Sequence, residues 1–156
     1  PTLLIAIVVV AITGAGLQNI MFAITLALIP QFIHQTRNFV QEELKKEYVL
    51  LDRLDGASSK RIFFTSLLPG MNELIVVQAT IALSVAILDI SALGFLNLGA
   101  QNPTIELGQI LSQSLEAAYV APWLIALPGI FIFLMVLAVN IVGEGLRSAL
   151  RKRLTY

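Results

Sequence analysis

The chain has 156 residues and no net charge; 57% of its residues are hydrophobic and only 13% are charged, against about 25% in an average soluble domain. It has no cysteine, which excludes disulfides and thiolate metal sites. Its basic residues are interleaved with acids or confined to the C-terminal end, unlike the basic surface of a nucleic-acid-binding protein.

Long uncharged runs account for the shortage of charge, as in a membrane protein. Residues 3–12 form the first run, which ends at the glycine-containing break at 14–16. Because no Met or basic segment precedes this run, we expect the second half of a membrane helix rather than a signal peptide. Residues 17–33 then lead back across the membrane, and we expect Pro30 to bend or tilt that helix.

The basic residues form two groups, and no Lys or Arg lies between Arg61 and Arg147. The positive-inside rule places both groups in the cytoplasm, so an even number of crossings must join them. The apolar runs at residues 74–88 (extendable to 95) and 124–142 supply these crossings. The polar residues between the two runs are therefore predicted to lie outside.

These assignments predict one all-α, multi-pass transmembrane domain over residues 1–156. It has a cytoplasmic segment at residues 35–68, an external (periplasmic) segment at 96–122, and a basic cytoplasmic tail at 147–156. We expect the basic tail to contact anionic lipid.

An amphipathic helix is predicted at residues 42–54, because apolar side chains recur there at helical spacing: Leu44, Tyr48, Leu51 and Leu54. Asp55-Gly56 would end this helix, since glycine readily takes the left-handed turn that closes one. Ser58 or Ser59 would cap a second short helix. We call residues 42–62 the knuckle. By themselves these residues are compatible with a loop on the bilayer surface or with an element that docks on a partner.

The knuckle resembles the cytoplasmic loop of ABC importer permeases, whose pattern EAA-x3-G-x9-I-x-LP marks helices that dock on an ATPase. Three residues match the pattern in register: Gly56, Leu68 and Pro69. The chain differs from it at the three EAA positions and at the isoleucine position, which hold Leu50, Leu51, Asp52 and Ser66.

Later motifs extend this resemblance over nearly all of the chain after about residue 40. Residues 86–99, AILDISALGFLNLG, are similar to the AIL-x-EASLSFLGLG run of dipeptide and oligopeptide permeases. The next residues match that family's GVQPPTPSWGAML without a gap, at Gly99, Gln101, Pro103, Thr104, Gly108 and Leu111. Residues 121–123, 128–129 and 140–147 resemble its closing signature. The runs EYVLLDRLDGAS, AILDISALGF and LNLGAQ are most similar to the SapC branch of peptide-transport permeases.

The resemblance implies the type I importer permease fold and a longer full subunit, whose earlier spans precede Pro1. Expected partners are a homologous second permease, a pair of ABC ATPase subunits, a periplasmic substrate-binding protein and membrane lipid, but no nucleic acid. The subunit is not expected to be an enzyme or to hold a cofactor, because ATP is bound and hydrolysed on the ATPase subunits. The residues expected to couple to the ATPase are Leu50, Leu51, Asp52, Arg53, Asp55, Gly56, Ala57, Ser58, Lys60 and Arg61.

Asp89 lies in an otherwise uncharged run, where a carboxylate is costly unless it faces protein or water. It either lines a translocation path or bonds to a neighbouring helix. Asn97 is a second candidate for the path, and Gln101 and Asn102 lie beside it at the outer mouth. Three alternatives to a peptide ABC permease stay open: a proton-coupled secondary transporter that uses Asp89, an ABC permease for nickel, a polyamine or haem, and a scaffold subunit that lines no path.

Overall fold

The computed structural model describes residues 1–101 and 103–154, with side chains described as far as residue 151. Asn102 and the last two residues of the predicted tail therefore lie outside the described residues. The described residues contain no β-strand and form seven α-helices: α1 Thr2–Thr13, α2 Leu17–Glu43, α3 Glu47–Leu54, α4 Ser59–Ile62, α5 Leu68–Phe95, α6 Leu107–Gln113 and α7 Trp123–Leu154. A π-helical turn, Phe63–Leu67, joins α4 to α5, and a 3₁₀ turn, Leu115–Ala117, follows α6.

Three helical stretches are long and apolar enough to cross a membrane: Leu17–Glu43, Ser59–Phe95 and Trp123–Arg151. At about 1.5 Å per residue, each exceeds the roughly 30 Å hydrocarbon thickness of a bilayer. Helix α1 is apolar but shorter than these three stretches. The predicted all-α transmembrane bundle is confirmed, and the chain is an integral membrane protein.

The described helices form two compact units, one comprising Pro1–Ile29 with Ile81–Asn140 and the other Pro30–Thr80 with Ile141 onward. In the first unit, α1, the start of α2 and the end of α5 enclose an apolar core of Ala6, Val10, Ile20, Ala23, Ile24 and Leu93. Half of this core is alanine or valine, and such small side chains let membrane helices approach closely.

The predicted break between α1 and α2 is confirmed at residues 14–16. Gly14 has φ +93°, a conformation that glycine adopts without the steric cost of a side chain. The Asn19 amide donates to the carbonyl oxygens of Thr13 and Gly14 at 3.1 and 3.0 Å, which satisfies acceptors at the end of α1.

In the second unit, α5 and α7 are joined by an ion pair. Arg147 Nε lies 3.1 Å from Glu73 Oε1, and Arg147 Nη1 lies 3.5 Å from Glu144 Oε2. Close packing adds to this contact, because a Cβ on Gly143 would lie 2.2 Å from Thr80 Oγ1. The guanidinium of Arg147, the first residue of the predicted basic tail, thus has partners within the protein, and the contact of this tail with lipid stays a prediction.

Two helix ends differ from the predicted boundaries. Helix α2 continues through Pro30 to Glu43, and α7 continues beyond the apolar run to Leu154. Polar residues such as Gln, Glu, Lys and Arg are good helix formers, so leaving the membrane does not by itself end a helix. The change from apolar to polar sequence is therefore a better guide to the edge of the bilayer than to the end of the helix.

Helix α6 lies within the predicted external segment, for which the sequence predicted no helix. It packs backbone to backbone on α5, since a Cβ on Gly108 would lie only 2.0 Å from the carbonyl oxygen of Ser91. Only glycine fits this contact. At least this part of the external segment is therefore built against a membrane helix.

We expect Gly108→Ala to destabilise the protein by about 1–3 kcal/mol, the usual cost of overpacking a tight contact. Thermal unfolding of the purified protein in detergent measures the effect. Gly129→Ala is the matched control, because a Cβ on that helical glycine meets nothing within 4 Å. The control should be neutral or stabilising by up to about 1 kcal/mol, since alanine favours helix over glycine. Equal midpoints for Gly108→Ala and the wild type would contradict the packing of α6 on α5.

Candidate functional site

The predicted glycine turn of the knuckle is confirmed and closes α3. Gly56 has φ +80°, and its N–H donates to the carbonyl oxygen of Arg53 at 3.1 Å. The N–H of Ala57 donates to the carbonyl oxygen of Asp52 at 3.0 Å. These two bonds define a Schellman motif, which satisfies acceptors at the helix end and reverses the chain sharply.

Ser58 caps the start of α4 and is one of the two serines predicted for this role. Its Oγ accepts a hydrogen bond from the backbone N–H of Arg61 at 3.4 Å, while its own backbone is extended. The side chain of Ile62 is buried and holds the end of this short helix against the protein.

A π-helical turn carries α4 into α5 without a break. The N–H of Leu68 donates to the carbonyl oxygen of Phe63, one residue further back than in an α-helix. The next residue is Pro69, which lacks an N–H and whose ring would clash with the carbonyl four residues earlier. The wider turn accommodates that proline at the point where the sequence predicts entry into the membrane.

The outer face of α3 is apolar and uncovered within this chain. Leu50, Leu51 and Leu54 are 48%, 60% and 82% exposed. Leu51 and Leu54 of the predicted apolar stripe are therefore not covered by this chain, and the side chain that α3 buries is Val49. Charged residues of the knuckle are also exposed: Arg53 and Asp55, which flank Leu54 in the sequence, and Lys60 and Arg61 on α4.

A hydrogen-bonded cluster joins the end of α2 to the start of α3. The Tyr48 hydroxyl donates to the buried Glu43 carboxylate, and Lys46 Nζ lies 2.8 Å from Glu43 Oε2. Burial and the Glu43 carboxylate raise the pKa of Tyr48 to about 12, so the hydroxyl keeps its proton. The cluster spans a break at residues 44–46 that the sequence did not predict.

One side-chain hydrogen bond joins α3 to the π-helical turn. Ser66 Oγ donates to Asp52 Oδ2 at 2.9 Å, and both side chains are half-buried. Asp52 was predicted to contact an ATPase; within this chain its carboxylate has an internal partner.

At the other end of α5, the two path candidates have partners within the chain. Thr2 Oγ1 on α1 donates to Asp89 Oδ2 at 2.9 Å, the helix-to-helix bond that the sequence left as one interpretation. Asn97, with φ +59°, ends α5 in a second Schellman motif, and its side-chain amide donates to Ser112 Oγ at 3.3 Å. These contacts account for both side chains structurally, and a place in the translocation path stays a prediction.

Glu106, which the sequence suggests is a solvated acid of the external segment, instead lies in a cradle of glycines. Its Oε1 accepts a hydrogen bond from the N–H of Ala100 at 3.2 Å. A Cβ on Gly94 or Gly99 would lie 2.1 or 1.5 Å from that oxygen, so side chains there would expel it. Oε2 is buried and finds no hydrogen-bond partner in the described part of the chain. Burial raises the pKa of this carboxyl.

No group of three or more His, Cys, Asp or Glu side chains in the described residues is arranged to hold a metal ion. Two candidate regions follow from these contacts. One is the exposed apolar face of α3 with the hydrogen bonds that hold the helix, and the other, in the first unit, is the Glu106 cradle beside the end of α5.

Comparison with known proteins identifies relatives over the full chain. The sequence profile of "Binding-protein-dependent transport system inner membrane component" proteins matches residues 1–156. The chain is 50% identical over 150 residues to the peptide transport system permease protein SapC of Salmonella typhimurium. It is 45% identical over 154 residues to the di/tripeptide transport system permease protein DppC of Pseudomonas aeruginosa, and 43% identical to the dipeptide transport system permease protein DppC of Escherichia coli. The alignments cover 96% to 99% of this chain but 51% of each relative, so the chain spans about half their length.

We expect Glu106→Gln to remove a pH-dependent part of the stability. Because burial raises this carboxyl's pKa above 4.5, its neutral form favours the folded state. The stabilisation is present at acidic pH and is lost as pH rises through the folded pKa. Between pH 4.5 and neutrality, the unfolding midpoint of the wild type should therefore fall more steeply than that of the Gln variant.

Glu116→Gln serves as the control, since it removes an exposed acid from the same segment. It should keep the pH slope of the wild type. Identical slopes for all three proteins would mean that the Glu106 carboxyl is not desolvated.

Proposed function

Because the chain belongs to the family of binding-protein-dependent transport system inner membrane components, we propose that it is part of the permease subunit of an ATP-driven ABC transporter for peptides. In this proposal the subunit lies in a bacterial inner membrane. The subunit and a homologous second permease each form half of the translocation path. The relatives named for peptide, di/tripeptide and dipeptide transport support peptides as the substrate class.

The exposed leucine face of α3 is the observation that carries the proposal. Leu50, Leu51 and Leu54 are exposed on a helix outside the candidate spans, bordered by charged side chains. An apolar group rimmed by charge is typical of a surface that binds another protein. We infer that this face docks on an ATPase subunit, with the leucines desolvated and the neighbouring charges fixing orientation.

Energy for transport comes from the partner in this proposal. The glycine turn of the knuckle lacks the spacing and the following Ser or Thr of a phosphate-binding loop, so nucleotide is not expected to bind there. ATP binding would close the ATPase pair and displace α3. A periplasmic binding protein would deliver the peptide at the opposite face.

Asp89 bears on the proton-coupled alternative. A proton-carrying carboxylate needs contact with a water-filled path, whereas this one accepts a hydrogen bond from Thr2 on a neighbouring helix. That contact supports a structural role for Asp89 and favours the ATP-driven mechanism.

We expect a cysteine at position 58 to crosslink to an ATPase subunit. The experiment uses the full-length permease in native membranes, with Ser58→Cys as its only cysteine and a short bifunctional maleimide. Tyr119→Cys is the control, because that side chain is fully exposed on the predicted external segment. A specific crosslink from position 58 alone, altered by ATP, is the expected result. A crosslink from position 119, or none from 58 with the ATPase present, would count against the proposal.

We expect Gly56→Val to uncouple ATP hydrolysis from transport while the protein still inserts in the membrane. A branched side chain at φ +80° is strained by about 1–2 kcal/mol, enough to shift the turn that orients α3. Peptide uptake per ATP hydrolysed, in proteoliposomes, measures the loss. Gly56→Asn is the matched control, since Asn97 occupies the same turn position in this chain at φ +59°. Equal coupling in the Val and Asn variants would show that the turn geometry is not needed.

A further inference from the structure

The two faces of α3 have different partners. Tyr48 and Asp52 are four residues apart and therefore lie on one side of the helix, next to the buried Val49. Tyr48 donates a hydrogen bond to Glu43, and Asp52 accepts one from Ser66. Tyr48 is 42% exposed and borders Leu51, three residues on, whereas Leu50 and Leu54 lie on the opposite side. Helix α3 thus has an outer face free to bind and an inner face held at two points.

These two inner contacts lead to different helices. The Tyr48 hydroxyl fastens the start of α3 to the last residue of α2. The Asp52 carboxylate fastens the rest of α3 to the π-helical turn at the base of α5, across 14 residues of sequence. The backbone route from α3 to α5 is less direct, because it passes through the Gly56 turn and the four residues of α4. A glycine turn can absorb a displacement that a direct hydrogen bond would transmit.

The residue types at positions 52 and 66 also support a direct link between α3 and the π-helical turn. Asp52 and Ser66 occupy two of the places where the chain differs from the ABC importer loop pattern, which has alanine and isoleucine there. At these two positions, where the pattern is apolar, this chain has a hydrogen-bond acceptor, Asp52, and a donor, Ser66, 2.9 Å apart. Both side chains are half-buried, so the loss of either one would leave the other to water and would remove this direct bond between α3 and the π-helical turn.

We propose that the Asp52–Ser66 hydrogen bond is the strut that passes movement of α3 to α5, and that Asp52 is a positioning residue rather than a contact for the ATPase. The inference rests on the proposed function, since it assumes that α3 is the docking helix. The strut ends on the π-helical turn, which continues into α5 without a break. A shift of α3 would then reach the membrane span through Ser66.

The test separates docking from transmission in the full-length permease with its ATPase subunits in native membranes. The Ser58→Cys crosslink reports docking. A single cysteine at Asn72, an exposed position near the start of α5, reports transmission through the ATP-dependent change in its labelling by a water-soluble maleimide. Each reporter is combined in turn with Ser66→Ala, Ser66→Thr, Asp52→Ala and the Asp52→Ala/Ser66→Ala pair. Ser59→Ala, which removes another exposed hydroxyl, is the control.

Ser66→Ala should leave the crosslink intact and reduce the ATP-dependent labelling change on the order of tenfold, the factor that matches a hydrogen bond to a charged group. Ser66→Thr keeps the hydroxyl and should behave as the wild type, as should Ser59→Ala. The double variant should be no worse than either single one, because the two side chains act as one contact.

Other results would overturn the strut. A normal labelling change in Ser66→Ala would show that transmission does not need the bond. Loss of the crosslink in Asp52→Ala but not in Ser66→Ala would make Asp52 a direct contact of the ATPase. Failure of the proposed function itself looks different, because the crosslink would then be absent from the protein that carries only Ser58→Cys.

Discussion

Hydrogen bonding of the backbone inside lipid is the constraint on which the rest of this structure depends. Lipid offers no partner to an N–H or C=O group, so a membrane crossing must satisfy each one internally, and in an open chain only a helix does so. The cost then falls on the helix ends, where several groups lack an intrahelical partner. This chain closes two of those ends in the same way, with a left-handed residue and a pair of backward N–H bonds, at Gly56 and at Asn97. Both turns fix a sharp change in the direction of the chain, one within the knuckle and one at the end of α5.

A second consequence concerns side chains. Since lipid is as apolar as leucine, burial of apolar surface does not drive membrane helices together, and close packing with a few polar bonds must do so. The chain shows both: glycines at Gly108 and Gly143 that admit a neighbouring helix, and paired polar groups such as Thr2 with Asp89 and Arg147 with Glu73. Outside the spans, exposed apolar surface meets water instead of lipid. The exposed leucines on α3 therefore favour contact with a partner protein.

The interpretation of α3 as a two-faced helix connects structure with mechanism. An element that couples two proteins must bind one of them and be fixed to the other. The outer leucines can serve the first requirement, and the Tyr48 and Asp52 bonds can serve the second. A helix with only the first property would dock without transmitting force, and one with only the second would have nothing to transmit.

Much of this could be predicted from the sequence, because composition and one-dimensional periodicity carry it. Uncharged runs predicted the membrane helices, and the Gly56–Ser58 order predicted the turn and the cap. The orientation inferred from the distribution of Lys and Arg stays a prediction. Other features depend on residues far apart in the chain and needed the tertiary structure. The burial of Val49 in place of the leucine stripe, the packing of α6 through Gly108, the Glu106 cradle, and the Asp52–Ser66 and Arg147–Glu73 pairs are of this kind. Local sequence determines where a helix forms and ends, since those choices are made by neighbouring residues. Which face of a helix is covered, and which charge is paired, is decided by what the fold brings beside it.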